Sequence, residues 1–354
     1  MTTDRTLLVL GGGGALGAYQ AGALLALAEA GIVPDALFGC SAGALNAAFL
    51  ARDPGVAQAR LLVDWWSDTR THGVLAPSPL RRLLGLAAAA AAGGQALFDE
   101  RPLRRLIARV VPAHDIAELA VPLTVTTTCL DCGRAVHHAQ GAPGDVLVAS
   151  CALPGICPAT RLADGHRHVD GGVVCGVPIG AALAAARPGD RVFVLDCALA
   201  PVTGRPGDCA ALPDVLGDGC RLPAVCDTSD TPGGSGAGQP RRYRAPVESH
   251  RGVVQTVLDA FAVARAEASR AAVEPALDDP RVHVLPHVAD AWAAGLLDRL
   301  PAGPRDLSVT RELLAAGHAA TGAWLAGGAV RSGADVGVDV GAELGARRAR
   351  PAAG

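Results

Sequence analysis

Ser41 stands in the pentapeptide Gly39-Cys40-Ser41-Ala42-Gly43, which fits GxSxG. The physics of that pattern is steric. A serine on a sharp strand-to-helix bend needs a strained backbone, and glycines at either side leave room for the bend and for a substrate. A helix that begins just after the serine also points its positive end at the hydroxyl and favours negative charge there. Such a hydroxyl is a nucleophile for acyl transfer once a base takes its proton. In a chain so rich in small residues the pentapeptide also arises by chance, so the elements around it must carry the assignment.

Two other segments could complete that chemistry. Gly11-Gly12-Gly13-Gly14-Ala15-Leu16-Gly17 offers consecutive backbone N–H groups at the start of a helix, an anion site open to two readings. It could hold the oxyanion of an acyl-transfer intermediate. It also matches GxGxxG over Gly12 to Gly17, so the alternative is a nucleotide-binding regulatory protein that uses this loop. A dinucleotide site wants an acidic residue at the end of the second strand. Asp35 has the spacing but precedes that strand, and Ser41 occupies its exit. The candidate base is Asp170, a carboxylate closing a short strand and followed by Gly171 and Gly172, although Asp-Gly-Gly is also a plain turn. A conventional triad would add a histidine. His250, His283, His287 and His318 follow Asp170, and none has a local setting that singles it out.

The elements that must position these groups alternate in type. Thr6 to Leu10 reads as a buried strand entering the glycine turn, and Ala15 to Ala30 as a helix ended at Gly31. Asp35 to Gly39 is a short strand leading into Ser41, with a helix over Ala44 to Ala51. A helix over Val56 to Trp66, a strand over Leu123 to Thr128, a hairpin turn at Gly133 and a second strand over Ala135 to Ala139 come next. Then follow a helix over Asp145 to Ala152, the Arg167 to Asp170 strand, a helix over Ile179 to Ala186 and a strand over Arg191 to Cys197. Such alternation predicts a mostly parallel sheet covered on both faces. Beyond it, a helix over Val253 to Val273, a strand over Val282 to Leu285 and a helix over Ser308 to Leu325 are expected. Ser78 to Phe98 is rich in Ala and Leu and reads as a cover. Pro201 to Pro246 reads as a disordered insertion and residues 327–354 as a disordered tail. The domain is expected to span residues 5–326.

Composition bounds the function. The 354 residues are half apolar, enough for one large α/β domain or two small ones. With 31 Lys+Arg against 34 Asp+Glu the formal charge is -3, so no basic field exists to hold nucleic acid. The four-residue apolar run Leu7 to Leu10 is too short for a secretory signal, and Leu83 to Ala92 is far short of a membrane span, so a cytoplasmic protein is expected. The 10 cysteines are scattered and read as free thiols. Cys129 and Cys132 form a CxxC pair without a second pair at ligand spacing, so no metal is expected.

Taken in order, GGGGALGAYQAGAL, GCSAG, SCALPGICPA and DGGVVCGVPIGAAL resemble the patatin-like phospholipases. The resemblance covers roughly Leu7 to Leu199 and resumes weakly over Asp306 to Leu325. It implies a three-layer α/β/α sandwich and a Ser-Asp dyad without histidine. Carried over, Ser41 matches the nucleophile, Asp170 the base, and Gly12, Gly13 and Gly14 the oxyanion loop, with Gly17, Gly39, Gly43, Gly171 and Gly172 supporting the motifs. The implied activity is lipid ester hydrolysis, with a lipid or ester substrate, transient contact with a membrane surface and no cofactor. This chain departs from the pattern at Leu16, where many members carry Arg or Lys, at Cys157, often aromatic, and at Gly176, often Asn.

Overall fold

A computed structural model of the protein describes residues 4–68, 99–197, 264–288 and 307–327. The expected cover, insertion and tail lie outside those residues, as does most of the expected helix over 253–273.

The sheet grows from apolar five-residue runs too short and too uniformly buried to be anything but strands between layers. β1 (Thr6–Leu10) and β2 (Ala36–Cys40) are buried at every position. Parallel to them run β3 (Leu123–Cys129), β7 (Arg191–Leu195) and β8 (Val282–Val284). Three strands pair antiparallel with a neighbour: β4 (Arg134–His138) and β6 (Arg167–Asp170) with β3, and β5 (Thr160–Arg161) with β6. The order is β5-β6-β3-β2-β1-β7-β8, with β4 also on β3.

Successive side chains leave a strand on opposite faces, so each run feeds two cores. Leu8, Leu10, Leu37, Leu123, Val125, Phe193 and Leu195 join a core with α1 (Gly17–Glu29), α2 (Ala42–Leu50), α3 (Val56–Trp66), α4 (Arg101–Val110), α5 (Pro143–Ser150) and α8 (Ser308–Ala326). Leu7, Val9, Ala36, Phe38, Val192, Val194 and Val282 join the other, with α6 (Ile179–Ala185) and Val273 at the end of α7, the helical stretch 264–273. The result is the three-layer α/β/α sandwich with a mostly parallel sheet. The hairpin turn expected at Gly133 accounts for β4 lying antiparallel on β3, whereas the antiparallel pairing of β6 with β3 was not foreseen, because a strand of four residues carries no sign of its direction. Nor was α4 foreseen, whose arginine-rich sequence buries only Leu106 and Ile107.

The helix at residue 308 onward is part of this body. A Cβ on Gly22 of α1 would run into the Leu314 carbonyl, and one on Gly317 of α8 into that of Tyr19. The two backbones touch where glycine stands on each side.

Candidate active site

Ser41 is the hinge between β2 and α2. Its φ of 53° and ψ of -126° make it the one non-glycine residue with positive φ among the described residues. That region is nearly reserved for glycine, so the surrounding structure must hold the residue there. Its neighbours explain how. A Cβ on Gly43 would collide with the carbonyls of Leu10 and Gly11, and one on Gly39 would stand 2.6 Å from the Ala44 Cα. Both glycines therefore let α2 sit hard against β1 and β2. The Ser41 amide donates to Ser150 Oγ at 2.8 Å, and the Ser150 hydroxyl donates onward to the Thr126 carbonyl at 2.7 Å. Ser150 pins the bend to β3, a role no local sequence signal announces.

Asp170, 129 residues away in sequence, reaches Ser41 through strand register. β4 takes one flank of β3 along Val125 to Cys129, so β2 and β6 share the other. On that flank Cys40 pairs with Thr126 and Asp170 with Thr127. Two strands running in opposite directions thus end head to head against consecutive residues of β3. Gly171 makes the close approach feasible: a Cβ there would stand 2.5 Å from the Thr126 carbonyl and 2.9 Å from Cys40 Sγ.

The consequence is a direct bond. Ser41 Oγ donates to Asp170 Oδ2 at 2.6 Å, in the range of a hydroxyl bound to a charged carboxylate. The Gly172 amide donates to Oδ1 at 2.7 Å, so both carboxylate oxygens are held. Asp170 is 1 % exposed and Ser41 8 %. Burial raises the Asp170 carboxyl above its ordinary value, opposed by the Ser41 hydroxyl, the Gly172 amide and the Arg265 guanidinium. A buried, more basic carboxylate is better matched to removing a hydroxyl proton than an exposed one.

The glycine loop faces the same point. A Cβ on Gly12 would stand 3.1 Å from the Ser41 Cβ. The Gly11 amide is committed to the Leu195 carbonyl and the Gly12 amide to that of Gly176, each at 3.0 Å. Gly12 therefore gives close approach, while the amides of Gly13 and Gly14 bond no described residue. Gly14 has φ of 56° and is exposed, with no described atom within 4 Å of a Cβ placed there. A buried polar network braces the loop from behind. Gln20 Nε2 donates to the Gly11 and Leu195 carbonyls, Asn46 Nδ2 to the Gly17 carbonyl and Gln20 Oε1, and Trp66 Nε1 to Asn46 Oδ1. Gly17 is required beneath it, since a Cβ there would stand 2.6 Å from the Trp66 ring. Gln20 and Asn46 read in sequence as ordinary polar interruptions of apolar helices.

The remaining candidates are engaged elsewhere. His283 lies against the Phe193 ring with centroids 5.1 Å apart, and His318 bonds Glu29 at 2.8 Å. His168 is buried between Thr127 and Asp164. His250 lies outside the described residues. Asp35, the residue a dinucleotide site would need, accepts from the Thr6 amide at 2.7 Å. Cys129 lies 3.6 Å from His166 Nδ1, and among the described residues no three His, Cys, Asp or Glu side chains form a metal-holding group. Several thiols ring the site. Burial pushes up those of Cys40 and Cys151, and those of Cys157 and Cys175 to about 11. Among the described residues no helix is long and apolar enough to cross a membrane.

Residues 8–183 match the sequence model of the patatin-like phospholipases. Among curated relatives, the chain is 31 % identical over 179 residues to patatin-like phospholipase domain-containing protein 7 of Rattus norvegicus. It is 30 % identical over 179 residues to patatin-like phospholipase domain-containing protein 6 of Homo sapiens, and 31 % over the same length to neuropathy target esterase sws of Drosophila sechellia. Each match takes in 50 % of this chain and 12 % of the relative's length. A solved structure, VipD from Legionella pneumophila, aligns with a TM-score of 0.35 at 16 % identity, over 56 % of this chain and 51 % of that one.

Proposed function

We propose, from the premise that this chain belongs to the patatin-like phospholipase family through residues 8–183, that it is a serine ester hydrolase acting on lipids. Ser41 is the nucleophile, Asp170 its base, and the amides of Gly13 and Gly14 the oxyanion donors, with Gly12 holding the loop against Ser41. The observation that carries the reading is the 2.6 Å bond from Ser41 Oγ to Asp170 Oδ2 at a backbone position few residues adopt.

The chemistry follows in balanced steps. Asp170 Oδ2 accepts the Ser41 proton as Oγ bonds to the ester carbonyl carbon, and the carbonyl oxygen becomes an oxyanion facing the Gly13 and Gly14 amides. One such donor is worth about 3 to 4 kcal/mol of the barrier. Collapse breaks the bond to the leaving alcohol, which takes the proton back from Asp170. Water then attacks the acyl-Ser41 ester and gives its proton to Asp170; collapse breaks the acyl–Oγ bond, Ser41 Oγ takes that proton back from Asp170, and the free acid leaves. A dyad asks one carboxylate to act as base and acid in turn, which suits a carboxyl whose burial narrows its distance in proton affinity from the hydroxyl.

Residues 5–326 are assigned to this one domain, supported by the packing of α8 on α1. Lipid or lysophospholipid esters are the proposed substrates, on the strength of the family and of the phospholipase and esterase names its relatives carry. Labelling with a fluorophosphonate probe tests the assignment. One adduct is expected, on the peptide bearing Ser41, and none in Ser41→Ala. An adduct on another residue, or no turnover of any ester by the full chain, would end it.

A further inference from the structure

The dyad leaves one buried cation without a task. Arg265, on α7, is 9 % exposed and is the one buried arginine among the described residues. It fills the space that three glycines of the site leave open. A Cβ on Gly12 would stand 3.1 Å from the Ser41 Cβ and 3.2 Å from Arg265 Nη1. One on Gly172 would stand 2.9 Å from Arg265 Cδ and 3.0 Å from Asp170 Oδ1, and one on Gly176 3.1 Å from Arg265 Cγ. The side chain therefore runs along the seam between hydroxyl, carboxylate and glycine loop.

A guanidinium carries five N–H donors and keeps its charge at any pH the protein meets. Among the described residues this one makes a single hydrogen bond, from Nη2 to the Cys197 carbonyl at 3.4 Å, and no ion pair. Burying a cation that far from full pairing is costly unless its field is used. The loop from Gly11 to Tyr19 contains no basic side chain, and Leu16 within it is apolar and buried. So the positive charge at this site comes from a segment about 250 residues further along the chain.

Resting on the ester-hydrolase reading, we propose that Arg265 is a positioning residue for the reaction. Its guanidinium supplies the fixed positive charge facing both the Asp170 carboxylate and the negative charge that develops at the glycine loop. The titratable groups that feel the guanidinium are Asp170 from β6, Cys40 from β2 and Cys197 beyond β7, and those that face Asp170 besides Arg265 are Cys40, Cys151 and Cys157. Of these, Asp170 is the group the reaction needs charged. Burial pushes its carboxyl up and the guanidinium works the other way, so removing the guanidinium lets it rise further. The acid limb of kcat/KM then moves to higher pH.

The test uses the full chain with two substrates, neutral p-nitrophenyl butyrate and lysophosphatidylcholine. In Arg265→Met, kcat is expected to fall about 100-fold on both, the size of a lost oxyanion-site interaction, with KM little changed and the acid limb shifted upward. Arg265→Lys should recover at least tenfold of that loss. Circular dichroism and melting check the fold. If the methionine variant does not fold, Arg265→Gln, which can still donate to Cys197, is read by the same criteria. Folded variants with unchanged kcat and an unmoved acid limb would overturn the proposal. So would a loss confined to KM for the lysophospholipid, which would make Arg265 a phosphate ligand. A parent chain that hydrolyses neither ester, and behaves like Ser41→Ala, would instead overturn the hydrolase reading beneath it.

Discussion

Glycine at position 41 should be more stable than alanine, the reverse of the usual order. Elsewhere in a folded chain, alanine is favoured over glycine by about 0.4 to 1 kcal/mol, because glycine has more freedom to lose on folding. Burying the one extra methyl carbon favours alanine by about 0.8 kcal/mol more. Against both stands the backbone of Ser41, whose φ of 53° with ψ of -126° lies outside even the left-handed helical region. Strain there is worth about 3 kcal/mol, the upper end of the range for such positions. Both variants lose the donation to Asp170, so that bond cancels in the comparison. The balance favours Ser41→Gly over Ser41→Ala by about 1.5 kcal/mol, or roughly 2 °C in Tm for a domain of this size. Urea denaturation of the two variants, with matched m-values, reads the difference directly. Neither should turn over an ester. An alanine variant as stable as the glycine variant, or more so, would mean that Ser41 stores no strain, and the steric reading of GxSxG in this chain would fail.

Two further outcomes follow from the burial of the site. Asp170→Asn should abolish turnover, at least 1,000-fold, while melting no lower than the parent at pH 7 to 8. The sign follows from proton linkage: burial raises the folded-state carboxyl, so the native chain holds its proton more tightly than the unfolded one. The parent is therefore penalised as pH climbs through and beyond the ordinary aspartate range, and the amide is not. A variant that unfolds would make Asp170 structural. Iodoacetamide at pH 7.5 should leave turnover unchanged over an hour, since thiols raised to about 11, as at Cys157 and Cys175, ionise only to about three parts in ten thousand there. Rapid inactivation would point to a thiolate the geometry does not support.

The chemistry-bearing residues were legible because their constraints are local. A serine between small residues, after an apolar run and before a helix, names its own bend, and Ser41 occupies it. Four glycines after β1 likewise name a tight turn. Which of those amides stays free was not legible, because the Gly12 amide is taken by Gly176, a partner set by how the Asp170 loop folds back. Arg265 was invisible for the same reason. On its own helix it is one arginine of two, and only the absence of side chains at Gly12, Gly172 and Gly176 makes room for it. The direction of β6 was not legible either, since the four residues Arg167 to Asp170 carry no sign of which way they pair.

β3 explains why so remote a pair of groups can meet without any pairing signal. The sequence Thr126-Thr127-Thr128 reads as β-branched strand former, yet its polar atoms are all in use. The Thr126 carbonyl holds Ser150, which holds Ser41; the Thr127 hydroxyl bonds His138 and His168; the Thr128 hydroxyl donates to the Gly171 carbonyl at 3.2 Å. Valine would satisfy the strand as well, but at 127 it would leave Nδ1 of the buried His168 without its partner, at about 1 to 3 kcal/mol. Register along β3 is thus fixed by hydrogen bonds from both flanks as well as by its apolar pattern. A slip of one residue would carry Asp170 away from Cys40 and Ser41, so the precision of the site is inherited from a strand that itself bears none of its reacting groups.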